Sequence, residues 1–267
     1  FLMIRRPPRS TLDRASAAAD VYKRQSLSID AGETIAFLGR VGCGKSTVLR
    51  SLARMNDPAP GMLLIDGEDV RGYSLQQLRS QVALIPQDPF LFSLTIRDNL
   101  TYDDPERDMP PIEHAAQLAE LLDAIDEFPD GMETIVGERG ITLSGGQKQR
   151  ATLARGLIRD ARILAMDDCF SSVDTRTEER ILGRLKEVRQ GLTTLLVSHR
   201  VSTARHADRI FVMEDGRILE SGTHAELMAK GGYYADLEAV QSNQDQDRER
   251  KAALLRNLDI DVRVVNG

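Results

Sequence analysis

The sequence is poor in cysteine: its 267 residues include only Cys43 and Cys169. Two thiols make neither a disulfide framework nor a metal-ligand spacing, so a reducing, cytosol-facing compartment is the default expectation. Long apolar runs are also missing. None approaches the ~18 residues that a membrane-crossing helix needs, so no stretch is expected to span a bilayer by itself. Nor is there an excess of positive charge. A net charge of -6 and a pI of about 5.4 leave no basic face to neutralise phosphates, so no nucleic acid is expected among the partners. With 41% hydrophobic residues the chain can still bury a real core, as one large domain or two small ones.

What is present is arranged around Gly39-Arg-Val-Gly-Cys-Gly-Lys-Ser46. This stretch fits G-x-x-x-x-G-K-[ST], the phosphate-cradling P-loop, and its flanks supply the context that motif requires. Glu33 to Leu38 reads as a short buried strand, and Ser46 to Arg54 puts Val48, Leu49, Leu52 and Ala53 on one helical face. Strand, loop and helix therefore follow one another, and the amides of the loop and helix start converge on one anion. Gly39, Cys43 and Thr47 belong to this cradle; Gly42 and Gly44 let the backbone approach the phosphates. Lys45 is placed to bridge the β- and γ-phosphates and the Ser46 hydroxyl to reach Mg²⁺. The expected ligand is a nucleoside triphosphate.

Residues 1–25 read differently from the rest. They are basic, carry Pro7-Pro8, show no helical or strand period, and place the apolar tetrad before the charges, the reverse of a signal peptide. The stretch resembles translated sequencing-adapter read-through and is expected to stand apart from the fold, with the native chain truncated at or just before Ser26. From there the pattern is regular. Leu27 to Ile29 alternates like a half-buried strand, and Asp66-Gly67 marks a hairpin between Met62–Ile65 and Glu68–Val70. A short helix at Ser74–Arg79 precedes a buried strand, Val82–Ile85, stopped by Pro86.

From about residue 88 to 160 the pattern becomes largely helical. Ile112 to Phe128 carries Ala115, Leu118, Leu122 and Ile125 as one helical stripe ended by Pro129-Asp-Gly131, and a second helix is expected from Gly145 to Arg159. Strand and helix then alternate. Arg162–Met166 ends in Asp167-Asp168; Thr177–Gln190 is a helix with Ile181, Leu182, Leu185 and Val188 inward; Thr193–Val197 ends at Ser198-His199. A hairpin, Asp208–Met213 and Arg217–Glu220, turns at Asp215-Gly216, and residues 241–267 begin so highly charged that they read as a solvated tail or helix. The pattern as a whole is α/β, with a mostly parallel core sheet, an antiparallel β part and a helical subdomain at about 88–160. In such folds ligands sit at the carboxyl ends of the strands, where Gly39, Asp167 and His199 all fall.

The P-loop, Gln87 after a strand, Leu143-Ser-Gly-Gly-Gln147, the acidic pair after Met166, Ser171-Ser-Val-Asp174 and His199 occur in one order. Together, from about Ser26 to Val240, they resemble the nucleotide-binding domain of an ABC transporter, itself a P-loop NTPase fold. The resemblance implies ATP and Mg²⁺ as ligands and a second, facing ATPase domain as partner. Ser144, Gly145, Gly146 and Gln147 would then serve the partner's ATP from a helix N-terminus. Asp167 would hold Mg²⁺ through water, and Gln87 would reach that ion or the attacking water while sensing the membrane domain. His199 would hydrogen-bond the γ-phosphate, and Asp174 would reach across the dimer. A strand-end histidine taken alone is more often a satisfied core residue; its place in this order reverses that reading.

Thr134 to Gly140, with Glu138 and Arg139, and Pro89 to Asn99 resemble the loops by which exporters touch their membrane domain. The implied location is the cytoplasmic face of the plasma or inner membrane, and the implied cargo is multidrug- or lipid-like. One departure bears on mechanism: the family's strand-end pair is Asp-Glu, with the Glu as general base, and here it is Asp167-Asp168. A carboxylate drawn back by ~1.5 Å fits the degenerate-site half of a heterodimeric exporter whose intact signature completes the partner's site. A homodimer using Asp168 as a working base, and a nucleotide-gated dimerisation module with little turnover, stand as alternatives. The family also stacks adenine on an aromatic ahead of the P-loop; Tyr22 lies near that region but inside the excluded stretch and is not assigned.

Overall fold

The computed structural model describes residues 2–4, 25–137 and 141–243. In chain order the elements are β1 (Leu2–Ile4), β2 (Leu27–Ile29), β3 (Thr34–Gly39), α1 (Lys45–Leu52), β4 (Leu63–Ile65), β5 (Glu68–Asp69), α2 (Leu75–Gln81) and β6 (Val82–Ile85). A helical region follows: α3 (Ile96–Leu100), α4 (Met109–Leu118), α5 (Leu122–Asp126) and α6 (Gly145–Leu157). The remainder is β7 (Ile163–Asp167), α7 (Thr175–Val188), β8 (Thr193–Ser198), α8 (Val201–Ala204), β9 (Arg209–Glu214), β10 (Arg217–Gly222) and α9 (His224–Lys230). A last helix, α10, runs over residues 233–243.

The larger sheet has the order β10-β9-β3-β8-β7-β6, parallel throughout except for β10, which returns antiparallel on β9. Its inner parallel strands are largely buried on both faces, as parallel strands covered on two sides must be. The period-two alternation of β3 divides them between two cores. Ala36 and Leu38 face the core built with the helical region, α7 and α8; Ile35 and Phe37 face α1 and the smaller sheet. That smaller sheet, β2-β1-β4-β5, is antiparallel. The parallel sheet, the antiparallel part and the helical subdomain all match the α/β architecture expected from the sequence.

Several expectations change in detail. Leu2–Ile4, expected to stand outside the fold, forms the strand between β2 and β4, with Leu2 opposite Ile29 and Ile65. An alternating apolar tripeptide suits that position, because Leu2 and Ile4 are buried and Met3 is less so. Residues 5–24, Tyr22 among them, lie outside the described residues, as do Glu138, Arg139 and residues 244–267.

The single helix expected at Ile112–Phe128 is two helices. Glu120 adopts a left-handed φ of 54°, and the chain closes α4 with Leu121 N–H donating to Ala116 O at 2.9 Å. The carboxylate of Glu120 then meets Arg180 and Arg184 of α7 at 3.0 and 2.5 Å, a tertiary contact with no local signal. At the other end α4 starts earlier than expected, since Pro110 and Pro111 fit its first turn, where backbone N–H groups have no intrahelical partner. In α7 the last residue, Val188, points outward rather than inward. Of the two readings of the charged stretch, solvated tail or helix, residues 241–243 take the helix, as part of α10.

Candidate nucleotide site

β3 delivers the P-loop to the carboxyl edge of the parallel sheet. Gly39 is required there by proximity: a Cβ would fall 2.2 Å from the Met213 carbonyl oxygen of β9. Gly42 and Gly44 take left-handed φ values of 87° and 102°, and a Cβ on Gly42 would meet nothing, so the loop's outer side is open. Gly44 is the N-cap of α1. No side chain caps this helix and no acidic residue lies in its first turn. Its first-turn amides and dipole are directed at an anion that the protein itself does not supply.

Lys45 is buried, and its ammonium donates to the carbonyls of Gly39 at 2.7 Å and Arg40 at 2.8 Å, with Cys43 Sγ at 3.6 Å. Phosphate oxygens would compete for that ammonium as anionic, stronger acceptors. The Cys43 side chain belongs to the buried apolar cluster with Phe37, Val48 and Met213, so it is the backbone of this residue that lines the cradle. Thr47 follows in α1, its N–H donating to Gly44 O at 3.1 Å.

The Ser46 hydroxyl donates to Asp167 Oδ1 at 2.6 Å, joining the helix start to the end of β7. Asp167 is buried, and burial pushes its carboxyl above the ordinary range, against the opposing pull of the Ser46 hydrogen bond and the Arg50 charge. A hydroxyl and a buried carboxylate beside an uncapped helix start are a hard-oxygen set suited to Mg²⁺ with phosphate. The residues present therefore fit MgATP. Ser46 and Asp167 would hold the ion; the loop amides and Lys45 would hold the phosphates.

Asp168 also sits in the left-handed region, at φ 46°, and its N–H donates to Val197 O at 2.9 Å. This turn aims its carboxylate along the sheet edge at His199, whose Nδ1 lies 3.0 and 3.1 Å from the two carboxylate oxygens. Among the described residues the other ring nitrogen, Nε2, makes no hydrogen bond, and the ring is partly exposed. Gln87 is exposed just past β6, two strands away from His199 in the sheet. The sheet thus brings Gly39, Asp167, Asp168 and His199 to one edge, as expected.

The signature stretch belongs to a different part of the chain. Ser144 caps α6 through a capping box: its hydroxyl accepts from Gln147 N–H at 3.2 Å, and Gln147 Oε1 accepts from Ser144 N–H at 2.8 Å. Gly145 and Gly146 open the helix. A Cβ on Gly146 would lie 2.9 Å from the Ser172 carbonyl oxygen, so this glycine is needed for packing as well as for any phosphate approach. Farther along α6, Gln149 donates to Ser171 Oγ at 2.6 Å and accepts from Ser172 N–H at 2.7 Å. Packing of Gly146 on Ser172 and the hydrogen bonds of Gln149, two residues past the signature, thus set the start of α6 on the Ser171–Asp174 loop.

Asp174, which the resemblance directs across the dimer, also has a place within its own chain. Its carboxylate caps α7 within its own chain, accepting from Thr177 N–H at 3.0 Å, and that bond holds its carboxyl below the ordinary range. Sequence reasoning also missed Glu178 and Arg200. Glu178 is buried with its oxygens on the Thr203 hydroxyl and, at 3.1 Å, on Arg200, which also donates to Ser171 O at 3.1 Å. The available signal was spacing: Glu178 lies three residues before Ile181, on the buried stripe of α7.

A parallel sheet that brings a P-loop, an acidic strand end and a histidine to one edge defines a P-loop nucleotide-binding domain. A family model described as ABC transporter matches residues 22–171, and the chain belongs to that family. It is 43% identical over 223 residues to the ATP-dependent lipid A-core flippase of Chromohalobacter salexigens, covering 84% of this chain and 38% of that protein. The flippase of the same description from Salmonella paratyphi A is 44% identical over 220 residues, covering 82% of this chain and 38% of its own length. The chain thus spans well under half the length of these curated relatives. Among solved structures it is similar to a bacterial Atm1-family ABC exporter with ATP bound, at a TM-score of 0.78 and 39% identity over 83% of this chain and 39% of the other.

Proposed function

We propose that this chain is the ATPase domain of an ABC exporter, that it closes on a second such domain around MgATP, and that its own site is degenerate. Similarity to exporters supports the first part. The single observation that carries the last part is that both Asp168 carboxylate oxygens sit on His199 Nδ1. A general base for hydrolysis must reach the water in line with the γ-phosphate. A side chain one methylene shorter than Glu and already committed to an imidazole is poorly placed for that. A misplacement of about 1 Å can cost on the order of 10² in rate, or ~3 kcal/mol of barrier.

In this reading Lys45 and the α1 amides bind the phosphates, and Ser46 and Asp167 hold Mg²⁺, which when bound neutralises charge on the β- and γ-phosphates. Asp168 fixes the ring of His199 so that Nε2 faces the γ-phosphate. Gln87, just past β6, orients the attacking water or the ion and reads the position of the membrane part. Ser144, Gly145 and Gly146 complete the partner's site, in keeping with a signature that is capped on itself and packed on Ser172. The membrane part would meet the Gln87 region and the loop carrying Glu138 and Arg139, at the cytoplasmic face of the membrane. Flippase relatives support a lipid-like cargo.

The test is Asp168→Glu in the 267-residue chain at concentrations that saturate dimerisation. Steady-state ATP turnover should rise by on the order of 10²-fold. Unchanged turnover, together with its abolition by His199→Ala, would mean that Asp168 already works as the base of a homodimer.

A further inference from the structure

The loop carrying His199 is held from a direction that the nucleotide site does not use. Gln241 of α10 places its side-chain amide against this loop, donating through Nε2 to His199 O at 2.7 Å and accepting through Oε1 from Val201 N–H at 2.8 Å. One side chain thereby bonds the backbone on both sides of Arg200, much as a neighbouring strand would. β8 ends at Ser198, so these backbone groups lie beyond the sheet ladder and need another partner.

Gln241 is itself well anchored. Tyr234, Leu237 and Gln241 fall at i, i+3 and i+7 and so share one face of α10. Tyr234 is fully buried with its hydroxyl 2.7 Å from His224 Nδ1, and Leu237 packs on the larger core. The start of the helix is fixed by Glu220, whose carboxylate accepts from Tyr233 N–H at 3.0 Å and Tyr234 N–H at 3.1 Å. The apolar stripe of α10 therefore ends in an amide set against the histidine loop. Beyond that loop, Arg200 continues the connection to Ser171 O, and Ser171 Oγ accepts from Gln149 of α6.

We infer that Gln241 is a positioning residue of the ATPase site: it fixes the backbone from His199 to Val201 so that the imidazole held by Asp168 is presented to the γ-phosphate. This inference rests on the reading of His199 as the γ-phosphate contact. It makes α10 part of the site's support, acting through the backbone of His199 and Val201. Gln241→Ala removes both bonds. Gln241→Glu keeps an acceptor for Val201 N–H but sets a carboxylate against the His199 carbonyl, which needs a donor.

The test uses the full chain with Asp168 retained, because that carboxylate holds the imidazole, and reads its turnover by release of radiolabelled phosphate. Gln241→Ala should lower kcat by about tenfold, leave KM for ATP and binding of MgADP unchanged, and speed amide hydrogen exchange at Val201 by at least about tenfold. Gln241→Glu should not restore kcat, and in a His199→Ala background Gln241→Ala should lower turnover no further. An unchanged kcat and unchanged Val201 exchange would overturn the inference, as would full rescue by Glu or an equal fall in the His199→Ala background. The exchange arm is read without ATP and needs no turnover. Asp168→Glu tests the degenerate-site reading separately; the role of Gln241 is decided by kcat and Val201 exchange together in the chain that keeps Asp168.

Discussion

The helix that follows the P-loop and the helix that follows the signature both begin with glycine and small residues fit to meet a phosphate, but they begin in opposite ways. α1 has no side-chain cap, whereas α6 closes its own first turn with Ser144 and Gln147. The P-loop helix depends on an external anion to satisfy its amides, and the signature helix does not. A further asymmetry follows from packing. Gly42 faces open space, while Gly146 rests against the Ser172 carbonyl, so the signature arrives already folded onto the loop beside it. Nucleotide should therefore order the P-loop far more than the signature. The signature can be presented to a partner as a finished surface.

The most direct way to break this comparison is Lys45→Ala. The variant removes the one buried ammonium that the P-loop holds on its own carbonyls, and charge-assisted bonds to phosphate are the strong kind. Affinity for MgATP should fall by on the order of 10²-fold or more, read by equilibrium titration with a fluorescent ATP analogue. A loss below about threefold would mean that the triphosphate is not held here. Ser144→Ala, at the other helix start, should leave this affinity in the monomeric chain unchanged.

Ser144→Ala sharpens the comparison through stability instead. It deletes the capping hydroxyl of α6, an interaction worth ~1 kcal/mol at typical N-caps. For a chain of this size that is a fall of roughly 2–4 °C in Tm by calorimetry. No change in Tm would show that α6 is held by packing alone, with the capping box idle.

These helix starts also indicate how far sequence could be read. The P-loop, the acidic strand end and His199 were legible because each closes a buried strand of a parallel sheet, and that geometry is local. Glu120 was not legible: nothing near it demands a left-handed residue, and the arginines that hold its carboxylate lie on another helix. The cap that Asp174 makes was not legible, because a resemblance transfers a role and not the hydrogen bonds within the chain. Gln241 had no signal beyond its place on the Tyr234–Leu237 face, since its partners are backbone groups some 40 residues away. Long-range polar contacts to backbone leave no mark in composition or period.

The smallest effect separates a hydroxyl cap from a carboxylate cap. α7 begins at Asp174, whose carboxyl is held below the ordinary range chiefly by the Thr177 amide. A depressed carboxyl contributes stability that is complete above its unfolded value, ~3.9, and is lost as pH falls through the lower folded value. The α6 cap at Ser144 has no proton to gain and should be indifferent over the same window. Asp174 is exposed, so solvent screening keeps the effect to a few tenths of a kcal/mol. It is best seen as a difference: amide exchange at Thr177 should accelerate between about pH 4 and 3 in the wild-type chain, relative to an Asp174→Asn variant that keeps an uncharged cap. Equal acid sensitivity in the two proteins would mean that the α7 start is held by its contacts with α8 rather than by its cap.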